Sequence, residues 1–269
     1  MRHLKTAAIL TGAVGGALLM AGQALADPVT VDGIQWQSGA TFQSAQIYEN
    51  FVNKSGDELS GFGRIDAING TTDYCANGGV GSCELTFSFS GYVAQDFGMD
   101  EVTFTGGMVQ FYADTSPNFD PSNGATATDG QLFLDTVGHT FQGSNGNVGT
   151  LLASAETGDF TTDQFQGHGA GMLDVTGGDA MAFFDSNQFN DHIAGGPGAD
   201  LQFISDFSPN SCTNSGTSQP ICGSGTIKGL VKSGTTPPPV SVPEPGALGL
   251  MGLGLLGIGF ATRRRYRRR

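Results

Sequence analysis

Leu85-Thr86-Phe87-Ser88-Phe89-Ser90 alternates large apolar with small polar side chains. A period of two puts the apolar set on one face of a strand and the polar set on the other. Val102-Thr103-Phe104-Thr105 repeats the pattern, and Met108–Tyr112 resumes it after Gly106-Gly107. Working outward, shorter runs predict strands at Val31–Trp36, Ile47–Val52, Gln131–Leu134, Thr150–Ser154, Met181–Phe184, Leu201–Phe207 and Thr226–Val231. Turn-forming tracts part them: Ser122-Asn123-Gly124, Ser144-Asn145-Gly146, Thr176-Gly177-Gly178 and Gly195-Gly196-Pro197-Gly198. Outside two terminal apolar runs, no segment of about ten residues or more has helical period with caps. Short strands and frequent turns predict an all-β fold, a single jelly-roll-like β-sandwich over residues 27–231.

The two apolar runs read as addresses rather than fold. Arg2 and Lys5 precede an apolar stretch from Ala7 to Met20, which ends in Ala24-Leu25-Ala26. Glycines interrupt it, and it falls short of the ~20 apolar residues of a span. Residues 1–26 are therefore expected to be a signal peptide, cut by signal peptidase after Ala26. At the other end, residues 246–262 carry no charge and give roughly 26 Å of helix at 1.5 Å per residue. Six arginines follow within residues 263–269. Such a basic flank holds its end in the cytoplasm, so the predicted transmembrane helix leaves the preceding domain outside. Residues 232–241, with Pro237-Pro238-Pro239, form an extended linker.

Residues 27–243 carry four basic residues (Lys54, Arg64, Lys228 and Lys232) against 24 acidic ones, a net charge of −20. That field argues against nucleic acid and anionic membranes as partners and favours divalent cations. High charge can also mean disorder, but 18 phenylalanines and the strand patterns argue for a packed core. Trp36 shares a strand face with Ile34, which predicts a core position. The four cysteines are an even number in an exported chain, the mark of disulfides. Their spacing favours two local loops, Cys75 with Cys83 and Cys212 with Cys222, out of three possible pairings.

The sequence shows no serine with glycine at both flanking positions of a nucleophile elbow, no His-Glu-x-x-His, no phosphate loop and no dinucleotide fingerprint. No catalytic residue is assigned, and a non-enzymatic protein is expected. His139, His168 and His192 read as loop histidines in an acidic chain. The loop from Asp114 to Gly124 concentrates oxygen donors, so Asp114, Asn118 and Asp120 are candidate Ca2+ ligands. Its spacing is not that of an EF-hand, and the closing Glu is missing. Gly195-Gly196-Pro197-Gly198-Ala199-Asp200 begins like a calcium-binding nonapeptide, but Gln202 replaces the apolar position and only one copy exists. Turn chemistry is the competing reading of both loops.

Val242-Pro243-Glu244-Pro245 stands directly before the predicted span and its basic flank. The combination, residues 242–269, resembles the PEP-CTERM tail, a tripartite sorting signal of Gram-negative bacteria. The resemblance implies an inner-membrane-anchored precursor, recognition by an exosortase, cleavage near Pro243, Glu244 and Pro245, and delivery to the cell surface or exopolysaccharide matrix. Residues 130–140, 169–187 and 198–207 are in addition similar to flocculation-associated PEP-CTERM proteins. That similarity implies a matrix protein working with exopolysaccharide in cell aggregation or biofilm cohesion. The alternative is a secreted enzyme or carbohydrate-binding module acting on extracellular polysaccharide.

Overall fold

The computed structural model describes residues 28–230, other than 38, 163, 210, 211 and 213–218. In chain order its strands are β1 (Val29–Val31), β2 (Ile34–Trp36), β3 (Ala40–Glu49), β4 (Glu58–Ile65), β5 (Ala67–Ile68), β6 (Glu84–Phe97) and β7 (Glu101–Asp114). They continue with β8 (Gln131–His139), β9 (Phe141–Gln142), β10 (Val148–Gly149), β11 (Leu151–Gly158), β12 (Phe165–Gly177), β13 (Leu201–Pro209) and β14 (Ile221–Gly229). The fold is all-β, as the alternation predicts.

Its architecture differs from the expected sandwich. One antiparallel sheet runs β12-β13-β14-β3-β4-β6-β7-β8, and β8 pairs back onto β12, which closes a barrel. β8 and β11 share one place in the wall. Met108–Ala113 of β7 pairs with β8, whereas Glu101–Phe104 pairs with β11. β12 divides in the same way, Phe165–Gly171 facing β11 and Met172–Gly177 facing β8. Alternation marks one buried face in a barrel and in a sandwich alike, so the local pattern does not separate the two. What permits closure is coiling of the long strands. β6 and β7 bend at Gly91, Gly106 and Gly107, all with φ between 72° and 88°, a region that strains other residues.

One end of the barrel is plugged. The β1–β2 hairpin turns at Asp32 and Gly33, both with positive φ, and delivers Trp36 into the core at 2% exposure. Trp36 stacks on Phe184 at 5.4 Å and meets Phe133 and Phe183 edge-on. Phe184 belongs to α1 (Met181–Phe184), a single helical turn where the sequence predicts a strand. Four apolar residues do not distinguish the two periods, and packing against Trp36 decides. Phe42, Leu85, Phe111, Leu173 and Leu201 fill the barrel beside this plug. A smaller cluster of Tyr48, Phe62, Phe119 and Ala127 lies on the outer face of β3 and β4. The buried Glu84 carboxylate holds the covering loop there by accepting from the backbone N–H of Asn118 and Phe119 at 2.9 and 3.2 Å.

Both expected disulfides form, Cys75–Cys83 beside the plug and Cys212–Cys222 on the outer cluster. In the chain-entropy view, loops this short contribute about 2.5–3 kcal/mol each. Ala40 at the start of β3 pairs with Gly229 at the end of β14, and Glu49 pairs with Ile221. The first and last strands of the sheet are thus neighbours. Among the described residues no helix is long and apolar enough to cross a membrane. The expected signal peptide with Ala26, the predicted span and the sorting residues Val242, Pro243, Glu244 and Pro245 lie outside the described residues.

Candidate functional site

The carboxylates of the loop after β7 are occupied locally. Asp114 Oδ1 accepts from Ser116 N at 2.7 Å, and Asp120 Oδ1 accepts from Ser122 N and Oγ at 2.9 and 2.7 Å. Those Ser122 bonds hold the Asp120 carboxyl below its ordinary pKa. Asn118 donates from Nδ2 to Asp129. The two aspartates make Asx turns, which need no cation. Among the described residues no three His, Cys, Asp or Glu side chains are grouped to hold a metal ion. Asp200 is likewise a structural group. It is buried, with Oδ1 accepting from Ser186 N and Asn187 N and Oδ2 from Val175 N at 2.8 Å.

The histidines are not all loop residues. His139 ends β8, and His168 lies within β12; only His192 sits in a loop, at φ 61°. His139 is 8% exposed, its Nδ1 2.8 Å from Asp174 Oδ1 and its Nε2 3.3 Å from Asp191 Oδ2. Burial opposes its protonation, but the hydrogen bonds and charges of Asp174 and Asp191 outweigh burial and raise its pKa. Asp191 shows little surface, yet it lies near the outside with few protein atoms around it, so we treat the site as only partly shielded from water. Both ring nitrogens face carboxylates, which suits an imidazolium clamp between β8, β12 and the Asp191 loop. A general base needs one nitrogen free to take a proton, and here both are engaged. His168 stands exposed between Glu156 and Asp206, with Nε2 3.2 Å from Glu156.

Inside the barrel, opposite the plug, lies a cavity of about 110 Å³. Phe160 packs edge-on against Phe165 at 5.0 Å and over Phe207 at 6.1 Å at that end. The lining is dominated by phenylalanine and aliphatic residues; its polar members are Ser44, Glu49, Asn50, Tyr92, Ser205 and Thr226, and Glu49 is the one carboxyl among them. Tyr92 is 1% exposed, and its hydroxyl has no hydrogen-bond partner among the described residues. Glu49 keeps some accessible surface, but it lines the cavity and is surrounded by protein, so burial is the better description of its setting. That burial pushes its carboxyl up to about 8. The sequence hides this site, because Glu49 follows Tyr48 with no motif around it.

A sorting signal lies in the chain beyond β14. Residues 241–265 match the PEP-CTERM protein-sorting motif. This chain carries a PEP-CTERM sorting tail. The motif implies processing by an exosortase, export, and sorting to the cell surface. Val242, Pro243, Glu244 and Pro245 all fall inside the PEP-CTERM match. No curated protein and no solved structure matches the chain. The PEP-CTERM match covers the tail alone, so the barrel's role rests on its own physical chemistry.

Proposed function

We propose that this protein is an exosortase-processed component of the cell surface or exopolysaccharide matrix, whose barrel promotes cell aggregation, flocculation or biofilm cohesion without catalysis. The observation that carries the reading is a PEP-CTERM motif joined to a domain of net charge −20. Closure of the barrel bears on how such a domain associates. A closed sheet offers no long unpaired strand, so copies do not join by extending one another's sheets. Contact with an anionic polysaccharide or a second copy goes through loops and must overcome like-charge repulsion. Salt reduces the repulsion beyond a Debye length of roughly 8 Å but not at contact. A divalent cation shared between carboxylates replaces repulsion with coordination, and extracellular Ca2+ modules typically bind at about 0.1–1 mM. In this reading Asp114, Asn118 and Asp120 remain the candidate ligands, and the cation displaces the Asx-turn hydrogen bonds of the two aspartates. The similarity of residues 130–140, 169–187 and 198–207 to flocculation-associated proteins points the same way.

A second reading, a carbohydrate-binding module, is favoured by an outer groove of about 490 Å³ over β11 and β12. Glu101 fixes two side-chain amides there, accepting from Asn145 and Asn147 Nδ2 at 2.6 and 2.7 Å. Fixed amides beside Phe141 suit sugar hydroxyls. One experiment separates the readings. Wild-type and deletion strains are compared for aggregation with millimolar calcium and with chelator, alongside an Asp114→Asn/Asp120→Asn strain. Cohesion through cations predicts aggregation that is lost on deletion, dispersed by chelator and weakened in the double variant. Aggregation lost on deletion but indifferent to chelator favours the glycan groove. A deletion strain that aggregates like wild type overturns the cohesion reading.

A further inference from the structure

We propose that the barrel cavity is a binding site for one small, uncharged, mostly apolar molecule bearing a single hydroxyl or carbonyl oxygen, about the size of phenol. This site is independent of the cohesion reading, which concerns the outer surface.

Size comes first. The cavity of about 110 Å³ is somewhat smaller than the ~150 Å³ apolar cavity that stays dry and takes up benzene. One six-membered ring with a substituent is the natural filling, and a fused bicycle is too large. Phe87, Phe104, Phe160 and Phe165 present aromatic carbon on several sides. Such walls give water few hydrogen-bond partners and give an apolar guest close dispersion contacts.

Polarity comes second. Tyr92 belongs to this lining, its buried hydroxyl has no partner among the described residues, and an unmet buried donor is costly enough that native proteins rarely keep one. Glu49 adds a carboxyl from across β4, which pairs with both β3 and β6, and Ser44, Asn50, Ser205 and Thr226 are the remaining polar residues of the lining. Burial keeps Glu49 protonated at neutral pH, so Glu49 and Tyr92 are both able to donate a hydrogen bond to an oxygen. A cation would require an ionised carboxylate among phenylalanines, and an anion would face no compensating positive group in the lining. Desolvation disfavours both, which leaves the neutral oxygen-bearing guest.

The test uses the protein purified in its exported form, with phenol as the probe, benzene as its oxygen-free match and 2-naphthol as the oversized one. Titration calorimetry and ligand-observed NMR should show saturable binding of one phenol per chain. Benzene should bind roughly three- to tenfold more weakly, the range of one neutral hydrogen bond, and 2-naphthol should not compete. Tyr92→Phe keeps the ring, so it should lower phenol affinity to the benzene level while benzene binding stands. Glu49→Gln, which keeps a donor, should retain phenol, and Glu49→Leu should weaken it. Absence of saturable phenol binding overturns the proposal. So does phenol affinity unchanged in both Tyr92→Phe and Glu49→Leu, or equal loss of benzene and phenol in those variants.

Discussion

Phe89 lies across Gly61: a Cβ on Gly61 would stand 2.4 Å from Phe89 Cζ and 2.2 Å from the Tyr48 carbonyl oxygen. The two residues are register partners on β6 and β4, and Phe87 covers Gly63 in the same way. The aromatic ring fills the space that the glycine leaves. Gly61→Ala sets its methyl against backbone that cannot turn away without giving up ladder hydrogen bonds. We expect a loss of about 1–3 kcal/mol, measured as a lower urea midpoint at unchanged slope. Wild-type stability in this variant would show that the ring and strand yield freely.

The same pairing shows why part of the fold escapes the sequence. β4 and β12 are absent from the predicted strands, although both are central to the barrel. Their inward positions include Gly61, Gly63, Gly167 and Gly171, and the rings that fill them belong to other strands, Phe203 standing over Gly171 and Phe207 over Gly167. A reading of alternation then sees half of the pattern. β6 and β7 are legible because each carries its own apolar face, and the cysteine pairs because their loops are local. The closure of β12 onto β8 and the convergence of Asp174 and Asp191 on His139 depend on contacts far apart in the chain. No local signal announces them.

Stability should fall as pH rises from the mildly acid range. Glu49 is raised from 4.5 to about 8, so between those values the folded state holds a proton that the unfolded state has released. Stability declines through that window and levels off above it. His139, also raised, contributes fully below its unfolded value of 6.5 and loses its contribution as pH passes its folded pKa. Asp120 and Asp191 are lowered, so their contribution is lost on the acid side, below the carboxylate range. The melting temperature should peak at about pH 4, where the lowered aspartates are ionised in the folded state and Glu49 still holds its proton in both states. Glu49→Gln should flatten the decline up to pH 8, and His139→Gln should flatten its neutral part. A wild-type melting temperature that rises from pH 5 to 8, or an undiminished decline in Glu49→Gln, counts against the buried carboxyl.

Processing is directly measurable. Signal-peptide removal predicts that the exported protein begins at Asp27, and exosortase cleavage predicts that it ends near Glu244, without the arginines of residues 263–269. Intact-mass measurement of the exported form decides this. A surface-localised species that still carries those arginines would contradict the expected cut.

Because Gly229 faces Ala40, the chain leaves the barrel at the end stoppered by Trp36 and Phe184, while Glu49 sits nine residues along β3, roughly 30 Å away at ~3.3 Å per residue. The sorting motif at residues 241–265 begins about a dozen residues after β14. Phe160 and Phe165 stand at the opposite end, beside the cavity. A cut near Glu244 therefore removes chain that follows the stoppered end and leaves the whole cavity lining in place.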